Sequence, residues 1–480
     1  MRRWRLLVAG CVAVVTAAGA ASAAEPAPCR VPGLETEALC GVVQRPLRPG
    51  RGDSPTIAVH YAVLPSLARN KHPDPLFFFA GGPGQSAIEL AGPLSRLFAR
   101  VNNRRDVVLI DQRGTGRSAP LVCGDDPPTR PMAEAADLQA QVRRLEQCRQ
   151  RLAALPHGDL RGYTTSIAME DVDAVRTAIG AERINLVGAS YGTRAALEYL
   201  RLHPARVRRV VLDGVVPPDM QLPEASSIDN QAALDAMVAR CSAEPACSTR
   251  YPTLAQDWKT LLASLPREAR VRHPVTGIDE TVQVTRGTLL GLVRQPLYVP
   301  ALASALPLAV AEAASGRFDA LVGLGLSLGS RRGAAAQGMH FSVVCSEDVP
   351  PSSGVPAPAT EFGDTYPAFY RQVCADWPRG DVPAEFRRIP PAAVPVWLLS
   401  GGSDPATPPR HGQRVASALG PRARHTVVAH AGHGVLGLGC ARDLVFRFLD
   451  AAGDEEALAI DATCVERVPA PPAFLRPTAP

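Results

Sequence analysis

One serine in this chain stands where a reactive nucleophile could form. Ser190 is the centre of the segment 188–192, Gly-Ala-Ser-Tyr-Gly, which follows an apolar run and precedes a helix-forming stretch. A strand that turns sharply into a helix holds its turn residue above the sheet edge, and small neighbours give the crowded backbone room. Gly-x-Ser-x-Gly arises by chance in a chain rich in glycine, so the strand-turn-helix context is what favours a nucleophile.

A serine hydroxyl needs a base to take its proton and an acid to orient that base. Two later segments supply them. An apolar run at 394–400 leads to Asp404, and a short run at 425–429 leads to His433, which has a glycine on each side. The chain order Ser, Asp, His is one of the orders in which such triads occur. We therefore predict Ser190, Asp404 and His433 as a catalytic triad.

Two of these assignments have alternatives. Asp213 also follows an apolar run, at 210–212, and could be the acid, although a residue before Pro217 could equally cap a turn. His430 could replace His433, but it lies closer to its strand and is better placed for a local contact. Geometry decides between such candidates, because the acid must reach the histidine and the histidine must reach the serine.

A glycine-rich loop is the expected partner of this serine. The apolar run 76–80 ends in Gly-Gly-Pro-Gly at 81–84, where backbone amides could approach a developing negative charge. We predict an oxyanion hole from the backbone N–H groups of Gly82 and Tyr191. A further apolar run, 106–110, ends in a charged loop, and we expect Asp111 to pair there with Arg113 and Arg117 and to support the glycine-rich loop.

The elements around these residues predict an α/β protein. Residues 24–218 and 391–467 alternate strand and helix patterns, as expected for two halves of a mostly parallel sheet flanked by helices. Residues 219–390 have few strand signals and read as an inserted, mainly helical cap. A helix is predicted from Ser166, its N-cap, to Ile179. The Pro-rich segment 468–480 reads as an extended tail.

The N-terminus predicts export. Arginines at 2, 3 and 5 precede an apolar run and an Ala-Ser-Ala cleavage site at 21–23, so residues 1–23 read as a signal peptide. A lipoprotein signal ending at Cys11 would leave too short an apolar core. The formal charge of +5 falls to about +2 without this segment, which gives no basic footprint for nucleic acid. We predict a secreted or periplasmic protein with no stable membrane insertion.

Cysteine usage agrees with export. Ten of the 11 cysteines follow the signal peptide, and an even number in an exported chain indicates disulfides. Connectivity does not follow from sequence alone, and Cys345 could instead be a buried free thiol. Pairing of sequence neighbours gives Cys29–Cys40, Cys123–Cys148, Cys241–Cys247, Cys345–Cys374 and Cys440–Cys464. No metal-binding or cofactor motif is present, and we predict neither a metal nor a cofactor.

Taken together, the motifs at 81–84, 111–118, 188–192, 404 and 432–434 resemble the prolyl and tripeptidyl aminopeptidase branch of the α/β-hydrolases. The resemblance spans most of the chain. It implies a serine exopeptidase with a helical cap, in which the triad and oxyanion residues named above carry over. Prolyl aminopeptidases proper usually have a histidine before the Gly-Gly-Pro-Gly motif. Ala80 stands there in this chain, which favours the secreted tripeptidyl-like relatives.

An exopeptidase of this kind must hold the free α-ammonium group of its peptide substrate, and a buried carboxylate suits that task. Glu347 and Asp348, after the apolar run 341–345, are the predicted anchor, with Asp229 as a second candidate. The same catalytic elements would also serve an esterase or amidase, which needs no such anchor. A catalytically silent binding protein on this fold is the third possibility.

Overall fold

The computed structural model describes residues 25–124, 127–328, 335–350 and 358–475. The predicted signal peptide lies outside these residues, as do the last five residues of the predicted tail. The described residues form these strands: β1 Ala27–Cys29, β2 Ala38–Pro46, β3 Thr56–Leu64, β4 Leu76–Phe79, β5 Val107–Ile110, β6 Ile184–Ala189, β7 Val207–Asp213, β8 Arg267–Arg272, β9 Asp279–Val284, β10 Val396–Gly401 and β11 Ala423–Val428. Their α-helices are α1 Ala91–Leu97, α2 Ala99–Asn102, α3 Met132–Ala136, α4 Leu138–Ala153, α5 Thr165–Ala178, α6 Tyr191–Leu202, α7 Leu222–Ala243, α8 Pro245–Arg250, α9 Leu254–Ala263, α10 Arg286–Leu297, α11 Pro300–Ala303, α12 Leu306–Ala314, α13 Asp319–Leu326, α14 Gln337–Glu347, α15 Thr365–Cys374, α16 Pro409–Leu419, α17 Ala441–Asp450 and α18 Asp454–Leu458.

The central sheet has nine strands in the order β1-β2-β3-β5-β4-β6-β7-β10-β11. The six strands from β5 to β11 in that order are parallel, whereas β1, β2 and β3 run antiparallel at one side. The predicted α/β class with a mostly parallel sheet is confirmed. Because parallel strands share one direction, the loops after β4, β6, β7, β10 and β11 all leave the same edge of the sheet.

Helices cover both faces of the sheet, and the strands are buried accordingly. Phe77 and Phe79 of β4 pack into one core cluster, with α5, α6 and α16. Leu76 and Phe78 pack into the other, with α1 and α17. A strand that is buried on both faces needs apolar side chains at every position, which explains why these strands read as continuous apolar runs.

The segment predicted as a cap contains helices α7 to α13 and has an apolar core of its own, which includes Trp258 and Phe318. It also contains the hairpin β8–β9, which the sequence did not predict. Two helices within the predicted bounds behave differently. Phe341 of α14 and Tyr370 of α15 pack on the sheet-side cluster rather than on the cap core.

All five predicted cysteine pairs form disulfides in the structure, and Cys345 is bonded rather than free. The apolar run 341–345 forms part of helix α14, which ends at Glu347. The link from Cys345 to Cys374 therefore joins α14 to α15. Within the described residues, no helix has both the length and the apolar character needed to cross a membrane.

Two further expectations change in detail. Helix α5 begins at Thr165, and Ser166, the predicted N-cap, lies inside it and donates a hydrogen bond to Glu198. The described part of the predicted tail, up to residue 475, makes contacts with the cap. The backbone N–H of Phe474 donates to the Ser304 carbonyl, and the Tyr251 hydroxyl donates to the Phe474 carbonyl, so residues near 474 lie on the cap.

Candidate active site

Ser190 occupies a tight turn between β6 and α6. Its φ is +56° and ψ is −125°, a conformation that costs a non-glycine residue about 1–3 kcal/mol. The turn is held by its N–H, which donates to the Asp213 carbonyl at 2.8 Å. A Cβ on Gly192 would lie 2.0 Å from the Phe79 carbonyl oxygen, and one on Gly188 would lie 2.3 Å from the Gly192 oxygen. Both glycines are therefore needed for the turn to close.

Asp404 and His433 meet at the loops after β10 and β11. The Asp404 Oδ2 atom lies 2.8 Å from His433 Nδ1, and it also accepts a hydrogen bond from the Thr407 hydroxyl at 2.7 Å. The Asp404 Oδ1 atom accepts from the backbone N–H groups of Ala406 and Thr407, at 2.8 and 2.9 Å. The carboxylate is thus fixed by its own loop and aimed at the imidazole.

The charges of this pair support each other. Burial disfavours the ionised carboxylate of Asp404 and the protonated imidazole of His433. The attraction between the two groups outweighs this cost for each of them. The imidazole of His433 and the nearby N–H donors keep the pKa of Asp404 below its ordinary value. The Asp404 carboxylate in turn holds the pKa of His433 above its ordinary value. Because Nδ1 is engaged by Asp404, Nε2 is the nitrogen that remains for proton transfer.

Asp213, the alternative acid, has another role in the structure. Its carboxylate accepts hydrogen bonds from the backbone N–H groups of Val435 and Leu436, at 2.8 to 3.0 Å. Burial raises the pKa of Asp213 to about 6, in spite of these donors. Asp213 therefore anchors the loop that follows His433, while Asp404 contacts the imidazole.

The other histidine and acid candidates lie away from the site. His430 is exposed and does not line the cavity that contains Ser190. Asp229, the second candidate anchor, is buried in an ion pair with Arg410 and a contact of 2.8 Å to His411. Both of its oxygens are occupied by that pairing, and it does not line the cavity either.

The glycine-rich loop after β4 lies against the serine. A Cβ on Gly81 would be 3.1 Å from the Ser190 Cβ, and both Gly82 and Tyr191 line the same cavity as Ser190. Asp111 supports this loop, because its carboxylate accepts from the Ser86 hydroxyl at 2.5 Å and from the Ile88 N–H at 3.2 Å.

The expected pairing of Arg113 with Asp111 is wrong. Arg113 is fully buried and bound to Asp171 through Nε and Nη2, at 2.7 and 2.8 Å, while its Nη1 donates to the carbonyls of Leu47 and Gly162. It therefore ties helix α5 to strand β2 and its loop. Arg117 contacts Asp111 through its backbone N–H, at 3.1 Å.

Glu347 and Asp348 are adjacent in sequence, but their side chains have different surroundings. Glu347 is buried behind the cavity, where it accepts from the Thr165 N–H at 2.7 Å and the Thr165 hydroxyl at 2.9 Å. Burial raises its pKa to about 7, against the opposing charge of Arg194. Asp348 lines the cavity. One of its oxygens accepts from Arg194 at 2.7 Å, and the other is buried with no hydrogen-bond partner among the described residues.

The opposite side of the cavity comes from residues that the sequence analysis did not single out: Arg294, Tyr298, His340 and Tyr370. The carbonyl of Tyr298 accepts a hydrogen bond from the His433 N–H at 3.0 Å, and the two rings meet edge to face at 5.2 Å. Burial lowers the pKa of His340 to about 4, so this imidazole is neutral near pH 7. The catalytic cavity has a volume of about 480 Å³.

A second cavity of about 400 Å³ adjoins the first, and the two share Gln295 and Leu328 as walls. Its lining is mainly apolar and comes from α3, α10, α13, α15 and the β8–β9 hairpin. Gly291 on α10 leaves part of this space open. A Cβ on Gly291 would meet no atom within 4 Å.

In the described part of the chain, no group of three or more His, Cys, Asp or Glu side chains could hold a metal ion. What the site assembles is a serine on an elbow, an imidazole bound to a carboxylate, and backbone amides of two converging loops. These are the components of acyl transfer by a serine nucleophile.

The fold and this arrangement define an α/β-hydrolase. A family model described as alpha/beta hydrolase fold matches residues 74–267, and one described as TAP-like protein matches residues 360–464. Both matches fit the branch of the α/β-hydrolases that is indicated by relatives named tripeptidyl aminopeptidase and proline iminopeptidase. The resemblance that the motifs indicated is confirmed.

The chain is 27% identical to serine protease Hip1 of Mycobacterium tuberculosis over 467 residues, which cover 86% of this chain and 87% of that protein. It is 35% identical to tripeptidyl aminopeptidase of Streptomyces lividans over 166 residues, 31% of this chain and 30% of that one. Among solved structures, proline iminopeptidase of Mycobacterium smegmatis matches at 17% identity and a TM-score of 0.38, over 88% of this chain and all of its own (100%).

Proposed function

We propose that this protein is an exported serine exopeptidase that hydrolyses peptide bonds near a free N-terminus through an acyl-enzyme on Ser190. It is an aminopeptidase-like serine hydrolase, since its relatives are a serine protease, a tripeptidyl aminopeptidase and proline iminopeptidases. The reaction steps, the recognition of the amine and the route of export are the proposed part. Contacts within the cavity that contains Ser190 support the first two, and the disulfides support export.

In the proposed reaction, His433 Nε2 takes the Ser190 proton while the Ser190 oxygen attacks the scissile carbonyl. The backbone N–H groups of Gly82 and Tyr191 receive the resulting oxyanion. His433 then protonates the leaving amine, and the C-terminal fragment departs. A water molecule, deprotonated by His433, hydrolyses the ester and restores Ser190. Asp404 keeps the imidazole oriented throughout.

The exopeptidase assignment rests on the position of Asp348 and on its unpaired carboxylate oxygen. Its side chain lines the same cavity as Ser190 and His433, and one carboxylate oxygen has no hydrogen-bond partner within the part of the chain that the structure describes. Arg194 is a single cation shared by two buried carboxylates, those of Asp348 and Glu347. A substrate ammonium group would supply the missing donor and the missing positive charge. Glu347 then serves as the support behind Asp348.

The test compares chromogenic amides of Ala-Ala-Pro, Pro and Ala, each with a free and an acetylated N-terminus. We expect turnover of the free amines only, and the fragment released will give the register. Asp348→Asn should raise KM for free-amine substrates by about tenfold to a hundredfold, because a hydrogen bond to a charged group contributes about 1.5–3 kcal/mol. Asp219→Asn, which removes an exposed carboxylate bound to Arg414, is the matched control. Equal cleavage of acetylated substrates would contradict the proposal.

Export through a cleaved signal peptide is supported by the five disulfides, which persist in oxidising compartments. N-terminal sequencing of the protein recovered from the periplasm or the medium tests it, and we expect a first residue of Ala24.

The apolar cavity beside the catalytic one favours one other candidate function, hydrolysis of esters with long acyl chains. A series of p-nitrophenyl esters of increasing chain length tests that function. Rates on the longer esters that exceed those on every free-amine peptide would favour it.

A further inference from the structure

Two arginines with opposite surroundings line the catalytic cavity. Arg194, on the helix that follows Ser190, is bound to Asp348 at 2.7 Å and lies 3.5 Å from Glu347. Arg294, on α10, donates to the hydroxyls of Tyr366 at 2.9 Å and Tyr298 at 2.7 Å. Among the residues that the structure describes, no carboxylate lies within ion-pair distance of Arg294.

Tyrosine hydroxyls position Arg294 but do not neutralise it. Its guanidinium lies 5.2 Å from the ring centre of Tyr298 and 4.7 Å from that of Tyr366. Burial raises the pKa of Tyr298, so that hydroxyl stays neutral. A guanidinium has five N–H donors, and Nε of Arg294 has no hydrogen-bond partner among the described residues. Arg294 is half-buried and lines the cavity without a counterion in the described part of the chain. The cavity therefore presents a positive charge and donors that an entering anion can use.

The position of Arg294 indicates which part of the substrate supplies that anion. Tyr298 lies one helical turn after Arg294, and its carbonyl accepts from the His433 N–H at 3.0 Å. His433 is the group that protonates the leaving amine, so the leaving fragment lies on the His433 side. Asp348, by contrast, is bound to the helix that carries the oxyanion amide of Tyr191.

We propose that Arg294 binds the C-terminal carboxylate of a short leaving fragment, and that the preferred substrates are short peptides with both termini free. This rests on the proposed function, in which Asp348 holds the α-ammonium group, and adds a second charged contact on the other side of the scissile bond. A planar carboxylate can accept two parallel hydrogen bonds from the free donors of the guanidinium.

The experiment uses the tetrapeptide Ala-Ala-Pro-Ala in four forms: free or acetylated at the N-terminus, combined with a free carboxylate or an amide at the C-terminus. We expect the free acid to exceed the amide by about tenfold in kcat/KM, mostly through KM, because a hydrogen bond to a charged group is worth that much. Arg294→Gln should lower the rate on the acid by about tenfold more than the rate on the amide, so that the preference for the acid disappears. Arg294→Lys should keep part of the preference.

Arg286→Gln is the matched control, since Arg286 is exposed on the same helix and does not line the cavity. Circular dichroism shows whether Arg294→Gln is folded. If that variant does not fold, the acid and amide rates of the unaltered enzyme decide. Equal kcat/KM values on the free acid and the amide in the unaltered enzyme overturn the inference. A decrease in kcat/KM that is equal for the two substrates in Arg294→Gln also overturns it. The comparison of free and acetylated N-termini tests the role of Asp348 separately. Either proposal can therefore fail without the other.

Discussion

The two sides of the catalytic cavity are built differently. On the core side, Ser190, Asp404 and His433 lie on loops at the ends of parallel strands, where the serine and the carboxylate are fixed by backbone hydrogen bonds. On the cap side, Arg294 and Tyr298 project from a helix, held by side-chain contacts to one another and to α15.

This contrast separates two tasks. Strand ends hold reacting groups within small tolerances, as catalysis requires. Side chains on cap helices can change without disturbing the sheet, and they face the parts of the substrate that do not react. We therefore expect substitutions on the core side to slow every substrate, and substitutions on the cap side to change which substrates are preferred.

Ser190→Ala is the most severe test of the core side. Loss of a triad nucleophile lowers kcat by about 10⁴- to 10⁶-fold, so hydrolysis of every peptide and ester should approach background. The measurement is kcat on purified protein, with circular dichroism to show that the fold is intact. Ser242→Ala, at an exposed position on α7, is the control and should be fully active. Hydrolysis retained by Ser190→Ala would remove this serine from the mechanism.

Asp404→Asn should lower kcat by about 10³- to 10⁴-fold on all substrates, because the amide no longer stabilises the imidazolium or fixes its tautomer. Asp213→Asn is the informative comparison, since Asp213 bonds only to the backbone of the neighbouring loop. The decrease in kcat caused by Asp213→Asn should be at least about tenfold smaller than that caused by Asp404→Asn. The reverse ranking of the two variants would make Asp213 the acid.

The pH profile sharpens the same point. His433 must be neutral to accept the Ser190 proton, so kcat/KM falls as pH drops through the pKa of His433. Because Asp404 raises that pKa, we expect the acidic limb above the ordinary histidine value of about 6.5. In Asp404→Asn the residual activity should have its limb at lower pH. If the acidic limb of the kcat/KM profile lies at the same pH in Asp404→Asn as in the unaltered enzyme, a group other than His433 causes it.

Thr407→Val should have a smaller effect on the core side. The variant loses the hydroxyl that donates to Asp404 Oδ2 at 2.7 Å and lies 3.2 Å from His433 Nδ1. We expect about a tenfold loss of kcat, equal for all substrates, since a hydrogen bond to a charged group is worth at least about 1.5 kcal/mol. Thr407→Ser should restore most of it. A change in KM alone would indicate a contact with substrate instead.

Gly291→Leu tests the cap side. The new side chain meets no atom within 4 Å at its Cβ and projects into the apolar cavity. We expect a loss of about tenfold to a hundredfold in kcat/KM on peptides with large apolar residues and none on alanine peptides, because burial of such a group is worth about 1.5–3 kcal/mol. Gly323→Leu on α13 is equally unhindered but exposed, and it should have no effect. An equal decrease in kcat/KM on all peptides would contradict the division of tasks between the core side and the cap side.

The core side was largely predictable from sequence. Strands β4, β6 and β10 are buried on both faces, so each reads as a continuous apolar run that ends where polar or glycine residues begin. Short loops then keep Ser190 and Gly82 near those ends. Thr407 was missed, but the hydrogen bonds from 406 and 407 to Asp404 form a turn whose signal is an aspartate followed three residues later by threonine.

The cap side was not predictable. Arg294 and Tyr370 reach the cavity from helices that are distant in the chain, and nothing local distinguishes them from ordinary core residues. The pairing of Arg113 with Asp171 rather than Asp111 failed for the same reason, because Asp171 lies on α5 and is brought in only by packing. Glu347 and Asp348 were found by sequence, but only the folded chain shows that Asp348 alone lines the cavity.

The end of the described chain gives the cap a third attachment. An inserted region joined by two connections can swing about them as a hinge, whereas a strap at another point limits the swing. The segment near Phe474 is such a strap, because it leaves the core after the disulfide at Cys464 and bonds to Ser304 and Tyr251. The segment near Phe474 therefore restrains the movement of Ser304 and Tyr251 relative to the core.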